Sequence, residues 1–555
     1  MSTAEALLAG LDDQQRVAAE ALLGPVCLLA GAGTGKTRAI THRIAYGVAT
    51  GVYPPGRVMA LTFTARSAGE LRGRLRGLGA GGVAARTFHA SALAQLNFFW
   101  PQVIGGSMPR LLDSKARLLA QAAETIKLKL DTATLRDTAG EIEWRKTSRL
   151  SLDEYATKAR VLPVALPIEK MLELQRAYED LKDQRRQIDF EDVLLAAAGM
   201  VEAEPRVAQQ VREQYRFFVV DEYQDVSPLQ HDLLALWLGD RSDVCVVGDV
   251  SQTIYSFAGA SPDYLLGFAA EYEDAVVVRL EENYRSTPPI IDVANRLMRG
   301  RAGALTLHPA TALKGLPPSI AAFDSDGAEA RSVANSIAAE IAAGVRPESI
   351  AILFRINVQS QVIETALGDA GVPFVVRGAT KFFDQREVKE ALMLLRGASV
   401  NTATEPLFKT VSDVLRSIGW SQEPPEVRGA VRDRWESLNA LMCLAEEAPA
   451  TITLRQFVDE LFERQTGQHE PVLSAVTLAT LHSAKGLEWD CVYLVGLSEG
   501  LVPISYAKDA AAVDEERRLL YVGVTRARRK LALSWSTAAQ GRGQRQPSRF
   551  LADLR

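Results

Sequence analysis

The sequence predicts an α/β protein with two domains, each built on a parallel β-sheet and each interrupted by a mainly helical insertion. Three observations predict this fold. Short apolar runs alternate with helical patterns, which is typical of parallel sheets covered on both faces. Glu282 divides these runs into a group of five and a group of three, so two sheets are expected. Two long stretches carry helical patterns alone.

The predicted strands are rich in β-branched and aliphatic residues, and most end in a polar or glycine-rich segment. The runs before Glu282 are 26–30, 57–62, 217–220, 244–247 and 276–280. The runs after it are 349–354, 476–481 and 491–495.

The helical stretches are residues 111–186 and 390–468, both rich in residues that favour helices. A chain of 555 residues is too long for one core. We therefore expect the first α/β domain over residues 1–108 and 188–278, with its insertion over 109–187. The second α/β domain is expected over 279–388 and 472–555, with its insertion over 389–471.

The composition, 47% hydrophobic and 24% charged, is typical of a soluble globular protein. Residues 1–15 lack the basic start and apolar run of a secretory signal, and no stretch approaches the roughly 20 apolar residues that span a membrane. These features predict a cytoplasmic protein without a membrane partner.

Four cysteines lie far apart in the sequence, which disfavours both a disulfide framework and a paired-cysteine metal site. The histidines show no ligand spacing, so no structural metal is expected. The formal net charge of -5 disfavours a broad basic surface, but a small local groove could still bind nucleic acid.

A phosphate site is predicted where the first strand ends in Ala30-Gly31-Ala32-Gly33-Thr34-Gly35-Lys36-Thr37. Glycines let backbone N–H groups turn inward around phosphate oxygens, and the following helix adds its positive N-terminus. Lys36 would contact the β- and γ-phosphates, and the Thr37 hydroxyl would bind Mg²⁺. The strict pattern has glycine where this chain has Ala30. A chance glycine-rich turn is the alternative, which the preceding buried strand disfavours.

An acidic pair, Asp221-Glu222, follows the apolar run 217–220. Adjacent carboxylates usually form a solvated turn, but a chain with a phosphate loop favours a catalytic interpretation. Asp221 would hold Mg²⁺, directly or through water, and Glu222 would accept a proton from the attacking water.

The sequence around these sites resembles the UvrD/Rep/PcrA group of superfamily 1 helicases. The most specific motif is Asp221-Glu222-Tyr223-Gln224-Asp225, and the resemblance runs from residue 11 to residue 551, weakening in the two insertions. It implies two RecA-like P-loop domains and an ATP-driven motor. The implied activity is a DNA-stimulated ATPase that moves 3′ to 5′ along single-stranded DNA and separates strands.

The resemblance assigns further ATP contacts. Gln15 would read the adenine edge, Tyr284 would stack on the base, and Gln252 would sense the γ-phosphate. Asp12 stands where the group usually has asparagine. The implied ATP-binding set is Gln15, Ala30, Gly31, Ala32, Gly33, Thr34, Gly35, Lys36, Thr37, Arg38, Tyr284 and Glu488.

Two arginines, Arg285 and Arg526, match the group's arginines for the γ-phosphoryl group, whose charge a guanidinium fork complements. Both lie in the second α/β half, so the resemblance implies that ATP sits between the halves and that closure couples hydrolysis to motion. Surface salt bridges are the alternative for both. The implied catalytic set is Lys36, Asp221, Glu222, Gln252, Arg285 and Arg526.

A motor that ignores DNA sequence needs flat rings for bases and donors for phosphates. The resemblance assigns base contacts to Phe63, Phe190, Tyr255 and Phe257, although each ring alone would more often be a core residue. At 255–260 the group often has Tyr-Arg-Trp-Arg-Gly-Ala, whereas this chain lacks both arginines and the larger ring. A weaker grip is therefore expected there. The remaining DNA-binding residues implied are Thr87, His89, Arg355, Asn357 and His482.

The second helical insertion is reduced. Only residues 388–479 separate two motifs between which the group carries a large subdomain, and they contain no Gly-Ile-Gly-like turn for duplex contact. The chain also ends soon after residue 551, where the motor core of the group ends and many relatives continue into accessory segments.

The resemblance therefore implies an ATP- and Mg²⁺-dependent helicase that acts on single-stranded and 3′-tailed duplex DNA. It implies association with the nucleoid, DNA repair as the setting and a repair protein as a further partner. The alternative within the same class is a translocase that strips proteins from single strands and unwinds poorly alone. A regulatory DNA-binding subunit with a degenerate ATP site is disfavoured by the intact motifs. A small-molecule P-loop kinase would not need a second half carrying both arginines.

Overall fold

The computed structural model describes residues 3–158, 166–310, 315–377, 382–399, 406–425, 430–449, 452–466, 475–539 and 542–554. The chain forms two compact units. Unit 1 is Met1–Tyr284 with Gly300–Ala310, and unit 2 is Arg285–Arg299 with Thr311–Arg555. Within the described residues, each unit holds a six-stranded parallel sheet, so the predicted α/β fold class is confirmed.

The sheet of unit 1 has the order β3-β2-β6-β7-β1-β8, and all neighbouring strands run parallel. Alternate residues of these strands enter two separate apolar cores, one on each face of the sheet. The strands of unit 1 are β1 (Val26–Ala30), β2 (Val58–Thr62), β3 (Ala84–Thr87), β4 (Arg110–Leu111), β5 (Gln187–Ile188), β6 (Phe217–Val220), β7 (Val244–Gly248), β8 (Val276–Leu280), β9 (Glu282–Asn283) and β10 (His308–Pro309).

Helices cover both faces of this sheet, and four further helices, α6 to α9, form an insertion between β4 and β5. The insertion has its own small core around Leu119, Ile142 and Tyr178. The helices of unit 1 are α1 (Thr3–Leu8), α2 (Asp13–Glu20), α3 (Lys36–Ala49), α4 (Ala65–Gly77), α5 (Phe88–Val103), α6 (Lys115–Thr125), α7 (Thr132–Thr147), α8 (Leu152–Thr157), α9 (Ile168–Gln184), α10 (Phe190–Ala203), α11 (Pro205–Gln214), α12 (Pro228–Leu238), α13 (Asp263–Leu266) and α14 (Phe268–Glu271).

The sheet of unit 2 has the order β11-β16-β15-β12-β14-β13 and is also parallel throughout. Its strands, with a short antiparallel pair near the C-terminus, are β11 (Ser319–Phe323), β12 (Ile350–Phe354), β13 (Phe374–Arg377), β14 (Val476–Thr480), β15 (Trp489–Leu494), β16 (Ala527–Ser536), β17 (Ala538–Ala539) and β18 (Arg542–Gln544).

The second insertion lies between β13 and β14 and is helical where the structure describes it. Buried Trp420, Trp435 and Phe457 contribute to its core, which is separate from the core on the sheet. The helices of unit 2 are α15 (Pro288–Met298), α16 (Asp326–Ala342), α17 (Ser360–Asp369), α18 (Arg386–Ala398), α19 (Leu407–Ser417), α20 (Ala430–Glu447), α21 (Leu454–Thr466), α22 (Ala510–Val524) and α23 (Phe550–Asp553).

Parallel strands place their carboxyl ends at one edge of a sheet, where ligands of α/β proteins bind. In unit 1 this edge carries the phosphate loop after β1, Phe63 after β2, Asp221-Glu222 after β6 and Asp249 after β7. Short 3-10 helices continue two of these ends, at Tyr223–Asp225 and Val250–Gln252. Across both units, the remaining 3-10 helices of the described residues are Pro55–Arg57, Ser256–Ala258, Pro347–Ser349, Asn357–Gln359 and Phe382–Asp384.

Within the part of the chain that the structure describes, no helix combines the length and the apolar character needed to cross a membrane.

Candidate functional site

The phosphate loop between β1 and α3 is shaped by glycines. Gly33 and Gly35 have φ angles of 74° and 77°, in the left-handed region that favours glycine. No side chain caps α3, so the N–H groups of its first turn remain available for an anion. Asn283 Nδ2 donates to the Ala32 carbonyl at 2.6 Å and holds the loop in this shape. Thr34 Oγ1 does the same from within, donating to the Gly31 carbonyl at 2.8 Å.

Lys36 lies among carboxylates at this edge of the sheet. Its Nζ is 3.4 Å from Glu222 Oε1. Burial alone would lower the pKa of Lys36, but Glu222, Asp249 and Asp221 outweigh it and the pKa is raised. Lys36 is therefore a fixed cation at the mouth of the loop, as binding of a polyphosphate requires.

Glu222 adopts a strained backbone conformation, with φ of 56° in a residue other than glycine. Strain of this kind persists only where surrounding contacts enforce it. Gln224 supplies them: its Nε2 donates to Glu222 Oε2 at 2.5 Å, and its Oε1 accepts from the Asp249 N–H at 3.0 Å. The amide of Gln224 thus links the ends of β6 and β7 and aims the Glu222 carboxylate.

Gln252 is fixed by Asp249, whose Oδ2 accepts from Gln252 Nε2 at 2.6 Å. Burial raises the pKa of the Asp249 carboxyl, while Lys36 and the bond from Gln252 oppose that rise. The end of β7 therefore presents one oriented amide next to the phosphate loop.

Oxygen donors of the type that Mg²⁺ prefers are present beside Lys36. Thr37 lies in the first turn of α3, and Asp221 lies directly after β6, where its Oδ1 accepts from the Glu222 N–H at 3.0 Å. A hydroxyl and a carboxylate next to a triphosphate form the usual magnesium set of P-loop proteins. The residues present therefore fit the metal.

The residues predicted to bind adenine, Gln15 and Tyr284, contact the backbone of the phosphate loop. Gln15 is buried, and its Nε2 donates to the Thr34 carbonyl at 3.0 Å. Tyr284 is partly exposed, and its hydroxyl donates to Asp12 Oδ2 at 2.5 Å. Arg38 is exposed and donates to the Gly10 carbonyl at 2.6 Å. Asp12 therefore holds the Tyr284 ring while its other oxygen caps α2.

In unit 2 the two predicted arginines meet at one turn, around Thr525. Arg285 Nη1 donates to the Thr525 carbonyl at 3.1 Å, and Arg526 Nη2 donates to Thr525 Oγ1 at 3.1 Å. Glu488 binds Arg285, with Oε2 2.5 Å from Nε, and also pairs with Arg528. The structure thus brings together Arg285, Arg526 and Glu488, which lie far apart in the sequence. Arg526 is only 2% exposed, so its guanidinium is largely engaged by the protein.

The predicted base contacts of unit 1 include a row of three rings. Phe63 and Tyr255 stack with ring centroids 5.6 Å apart and planes 12° apart. Tyr255 and Phe257 meet edge to face at 6.0 Å. Phe63 is 46% exposed and Phe257 is 57% exposed, so these rings are not core residues. Burial raises the pKa of the Tyr255 hydroxyl to about 12.

A second aromatic pair lies on α5 and α10. Phe190 is 55% exposed, and its ring centroid is 5.5 Å from that of His89. Burial lowers the pKa of His89 to about 4, so this imidazole is neutral at pH 7. Thr87 caps α5 by accepting from the Ala90 N–H at 3.1 Å, whereas the intervening Phe88 is buried and stacks on Trp237.

The residues of unit 2 that are predicted to contact DNA phosphates, Arg355, Asn357 and His482, are each partly buried. Arg355 makes a two-pronged ion pair with Glu516, the Nη2–Oε1 distance being 2.7 Å. Burial, with Arg355 and Lys485 nearby, lowers the pKa of His482 to about 3. Asn357 begins a 3-10 helix, and its Oδ1 is buried without a hydrogen bond among the described residues.

The sequence interpretation missed the supporting residues Asn283, Gln224, Asp249 and Arg528. Asp249 could have been found, because it follows a buried strand in the same way as Asp221-Glu222. Asn283 and Arg528 act on partners distant in the sequence, which no local pattern reveals. Gln224 lies within the acidic motif beside Glu222, but its second contact, with the Asp249 N–H, joins residues 25 positions apart.

Comparison with known families agrees with this geometry. The model of the UvrD/REP helicase N-terminal domain matches residues 11–273, and that of the UvrD-like helicase C-terminal domain matches residues 278–423 and 408–538. The chain belongs to the UvrD-like helicase family. The family resemblance predicted from the motifs is therefore confirmed.

Curated relatives of this UvrD-like chain carry related names. It is 48% identical to ATP-dependent DNA helicase UvrD2 of Mycobacterium tuberculosis, over 98% of this chain and 81% of the relative. It is 31% identical to DNA helicase II of Escherichia coli, over 99% of this chain and 88% of the relative. For ATP-dependent DNA helicase PcrA of Bacillus subtilis the identity is 29%, over 99% and 86%.

The lengths of these alignments differ in an informative way. The alignment with DNA helicase II runs over 640 residues, whereas this UvrD-like chain has 555, so DNA helicase II carries internal residues that this chain lacks. The alignment with UvrD2 runs over only 571 residues. Within the aligned regions, this chain and UvrD2 are therefore both shorter than DNA helicase II.

Proposed function

We propose that this chain is an ATP-dependent DNA helicase that moves 3′ to 5′ along single-stranded DNA and separates the strands of 3′-tailed duplexes. DNA repair, with a repair protein as partner, is the setting that the family resemblance implies. The names of the relatives and the family-model matches support the coarse assignment. The 3′ to 5′ polarity and the roles of individual residues go beyond these comparisons.

One observation carries the coupling of ATP to DNA. The loop after β7 holds Gln252 against Asp249, beside Lys36, and three residues later it carries Tyr255, which stacks on Phe63. A change at the γ-phosphate that moves Gln252 would therefore be transmitted to the aromatic row through a short, buried segment of chain.

In the hydrolysis step, Lys36 binds the β- and γ-phosphates, and Glu222 accepts a proton from water as the water oxygen bonds to the γ-phosphorus. The bond from that phosphorus to the β–γ bridging oxygen breaks, and ADP and phosphate leave. Bound Mg²⁺, held by Thr37 and Asp221, would supply charge neutralisation of the phosphate oxygens. The Lys36 ammonium pairs with the Glu222 carboxylate. A bound phosphate would compete for that ammonium, and weakening the pair would make the carboxylate a stronger base.

Arg285 and Arg526 are proposed to stabilise the γ-phosphoryl group in the transition state, as guanidinium groups do in related phosphoryl transfers. Arg285 is the stronger candidate of the two. Its partner Glu488 is an exchangeable carboxylate, whereas three backbone or hydroxyl acceptors hold Arg526.

A translocase that strips proteins from single strands is a second candidate. It is favoured by the shorter length of the chain, which lacks residues that DNA helicase II carries inside the aligned region. This candidate shares the ATP site and the aromatic row, and differs only in weak strand separation by the chain alone.

The test uses the full chain, ATP and oligonucleotides. ATP hydrolysis stimulated by single-stranded DNA, and lost in Lys36→Ala, supports a motor of either kind. Unwinding of a 3′-tailed duplex by the chain alone then supports the helicase. Stimulated hydrolysis with release of a bound protein from a single strand, but without unwinding, supports the translocase. Unchanged hydrolysis in Lys36→Ala would overturn the ATP-site assignment.

A further inference from the structure

The last turn of α7 lies in the helical insertion but contacts two segments outside it, each carrying an exposed ring. Lys146 and Thr147 are adjacent residues of this turn. The Lys146 side chain reaches the start of α10, which begins with Phe190, and Thr147 reaches the 3-10 helix Ser256–Ala258, which contains Phe257.

The Lys146 contact is a buried ionic cluster. Lys146 is 3% exposed, and its Nζ lies 2.8 Å from Asp189 Oδ2 and 2.6 Å from Asp192 Oδ1. Glu179, 3.0 Å away, and the second buried lysine, Lys182, complete the cluster. Burial would lower the pKa of Lys146, but the carboxylates outweigh it and the pKa is raised. Lys146 therefore keeps its charge and stays paired with these carboxylates.

The carboxylates in this cluster also set the start of α10. Asp189 and Asp192 form a reciprocal capping box, with Asp189 Oδ1 3.0 Å from the Asp192 N–H and Asp192 Oδ2 3.0 Å from the Asp189 N–H. Phe190 lies between them. Lys146 thus fixes the two residues that determine where the exposed Phe190 ring projects.

The Thr147 contact is one of close packing. A side chain at Gly259 would bring its Cβ to 2.8 Å from Thr147 Oγ1, and the φ of 93° at Gly259 independently favours glycine. Thr147 Oγ1 is also 3.2 Å from the Ala258 carbonyl. The loop that carries Phe257 is therefore seated directly on the end of α7.

We propose that Lys146 and Thr147 are positioning residues that set the spacing of Phe190 and Phe257, so that successive bases can engage both rings. This rests on the proposed function, because it takes both rings as base contacts. One helix end holds both segments, so displacing it moves each ring relative to the other. The insertion thereby acts on DNA binding through residues that need not touch DNA.

The test is a double-mutant cycle read as the DNA concentration that half-saturates the ATPase of the full chain. Lys146→Met keeps the chain length but removes the charge, and Lys146→Arg retains the charge as the conservative control. Thr147→Val keeps the shape but removes the hydroxyl. We expect Lys146→Met to raise the half-saturating concentration roughly tenfold, within the loss that follows removal of a stacked ring. Lys146→Arg should recover most of that loss, and the basal rate and the KM for ATP should stay unchanged.

The decisive readout is whether the effects add. In a Phe190→Ala background, Lys146→Met should have little further effect, because the ring it positions is gone. In a Phe257→Ala background, Thr147→Val should likewise have little further effect. If Lys146→Met prevents folding, the Thr147→Val cycle decides alone. If Lys146→Met or Thr147→Val weakened DNA stimulation as much in its ring-variant background as in the wild type, the positioning role would be overturned. The proposed function would remain intact. If Phe190→Ala and Phe257→Ala themselves leave DNA stimulation unchanged, the assignment of the rings fails and this inference fails with it.

Discussion

Lys36 and Glu222 form an ion pair, with Nζ 3.4 Å from Oε1, although 186 residues separate them in the sequence. The pair joins the phosphate loop after β1 to the acidic end of β6. It places the lysine proposed to bind phosphate in direct contact with the carboxylate proposed to act as the general base.

Glu222→Gln should lower the DNA-stimulated hydrolysis rate by roughly 10²- to 10⁴-fold, the usual contribution of a positioned general base. Nucleotide binding should survive, because Lys36 and the loop are intact. Steady-state hydrolysis and binding of a fluorescent ATP analogue measure the two effects. Glu273→Gln, at an exposed glutamate, is the matched control and should retain full activity. A Glu222→Gln protein that hydrolyses ATP normally would exclude Glu222 as the base.

Arg285→Ala should lower the hydrolysis rate by about 10³-fold, at the lower end of what an arginine contributes in phosphoryl transfer, with little change in ATP affinity. Arg528→Ala is the control, since Arg528 shares the same partner, Glu488. If Arg285 served only as a salt bridge, the two variants would show equally small losses.

Removing a ring from the aromatic row of Phe63, Tyr255 and Phe257 should lower the affinity for single-stranded DNA. Phe257→Ala should weaken single-stranded DNA binding by about 5- to 100-fold, the usual range for removing a stacked ring. Fluorescence anisotropy with a labelled oligonucleotide measures this. Phe98→Ala removes another exposed ring, on α5, and should bind DNA normally. Equal weakening in both variants would mean that a general loss of structure, rather than stacking, causes the effect.

The buried histidine of unit 2 predicts a pH dependence. The pKa of His482 is lowered to about 3 by burial and by Arg355 and Lys485. The unfolded chain, with a histidine pKa of about 6.5, takes up the proton first. Stability is therefore present above about pH 6.5 and falls as the pH drops toward 3, by at most about 1.4 kcal/mol per pH unit from this group.

Thermal unfolding between pH 7.5 and pH 5 tests this expectation. His482→Asn should flatten the loss of stability on acidification, whereas Phe98→Ala, which removes an exposed ring that does not titrate, should leave the slope unchanged. An identical slope in the wild type and in His482→Asn would show that His482 does not resist protonation.

The strands that the sequence predicted were those with apolar residues on both faces. β6 and β12, for example, are buried at every position and stand out as apolar runs. The sequence did not reveal β3, β11 and β13, which lie at sheet edges and are only partly buried. β16 was missed because buried and accessible positions alternate along it with basic residues between them. A search for apolar runs finds most central strands and the apolar edge strand β8, whose first two valines are exposed, and passes over the other edge strands.

The functional sites divide in a similar way: contiguous motifs can be predicted from the sequence, whereas contacts between distant residues cannot. The phosphate loop and Asp221-Glu222 are contiguous in the sequence, so a local pattern reveals them. The contact of Thr147 with the loop after β7 joins residues 111 positions apart, and the Lys146 cluster joins two insertion helices to α10. Such contacts depend on packing of the insertion against the sheet domain, which no spacing in the sequence encodes.

The measurement that tests the central claim most directly compares duplexes with a 3′ or a 5′ single-stranded tail, using the full chain with ATP and recording hydrolysis in the same reactions. We expect DNA-stimulated hydrolysis, with strand separation of the 3′-tailed duplex only, and neither in Lys36→Ala. Unwinding of the 5′-tailed duplex alone, or hydrolysis that DNA does not stimulate, would contradict it.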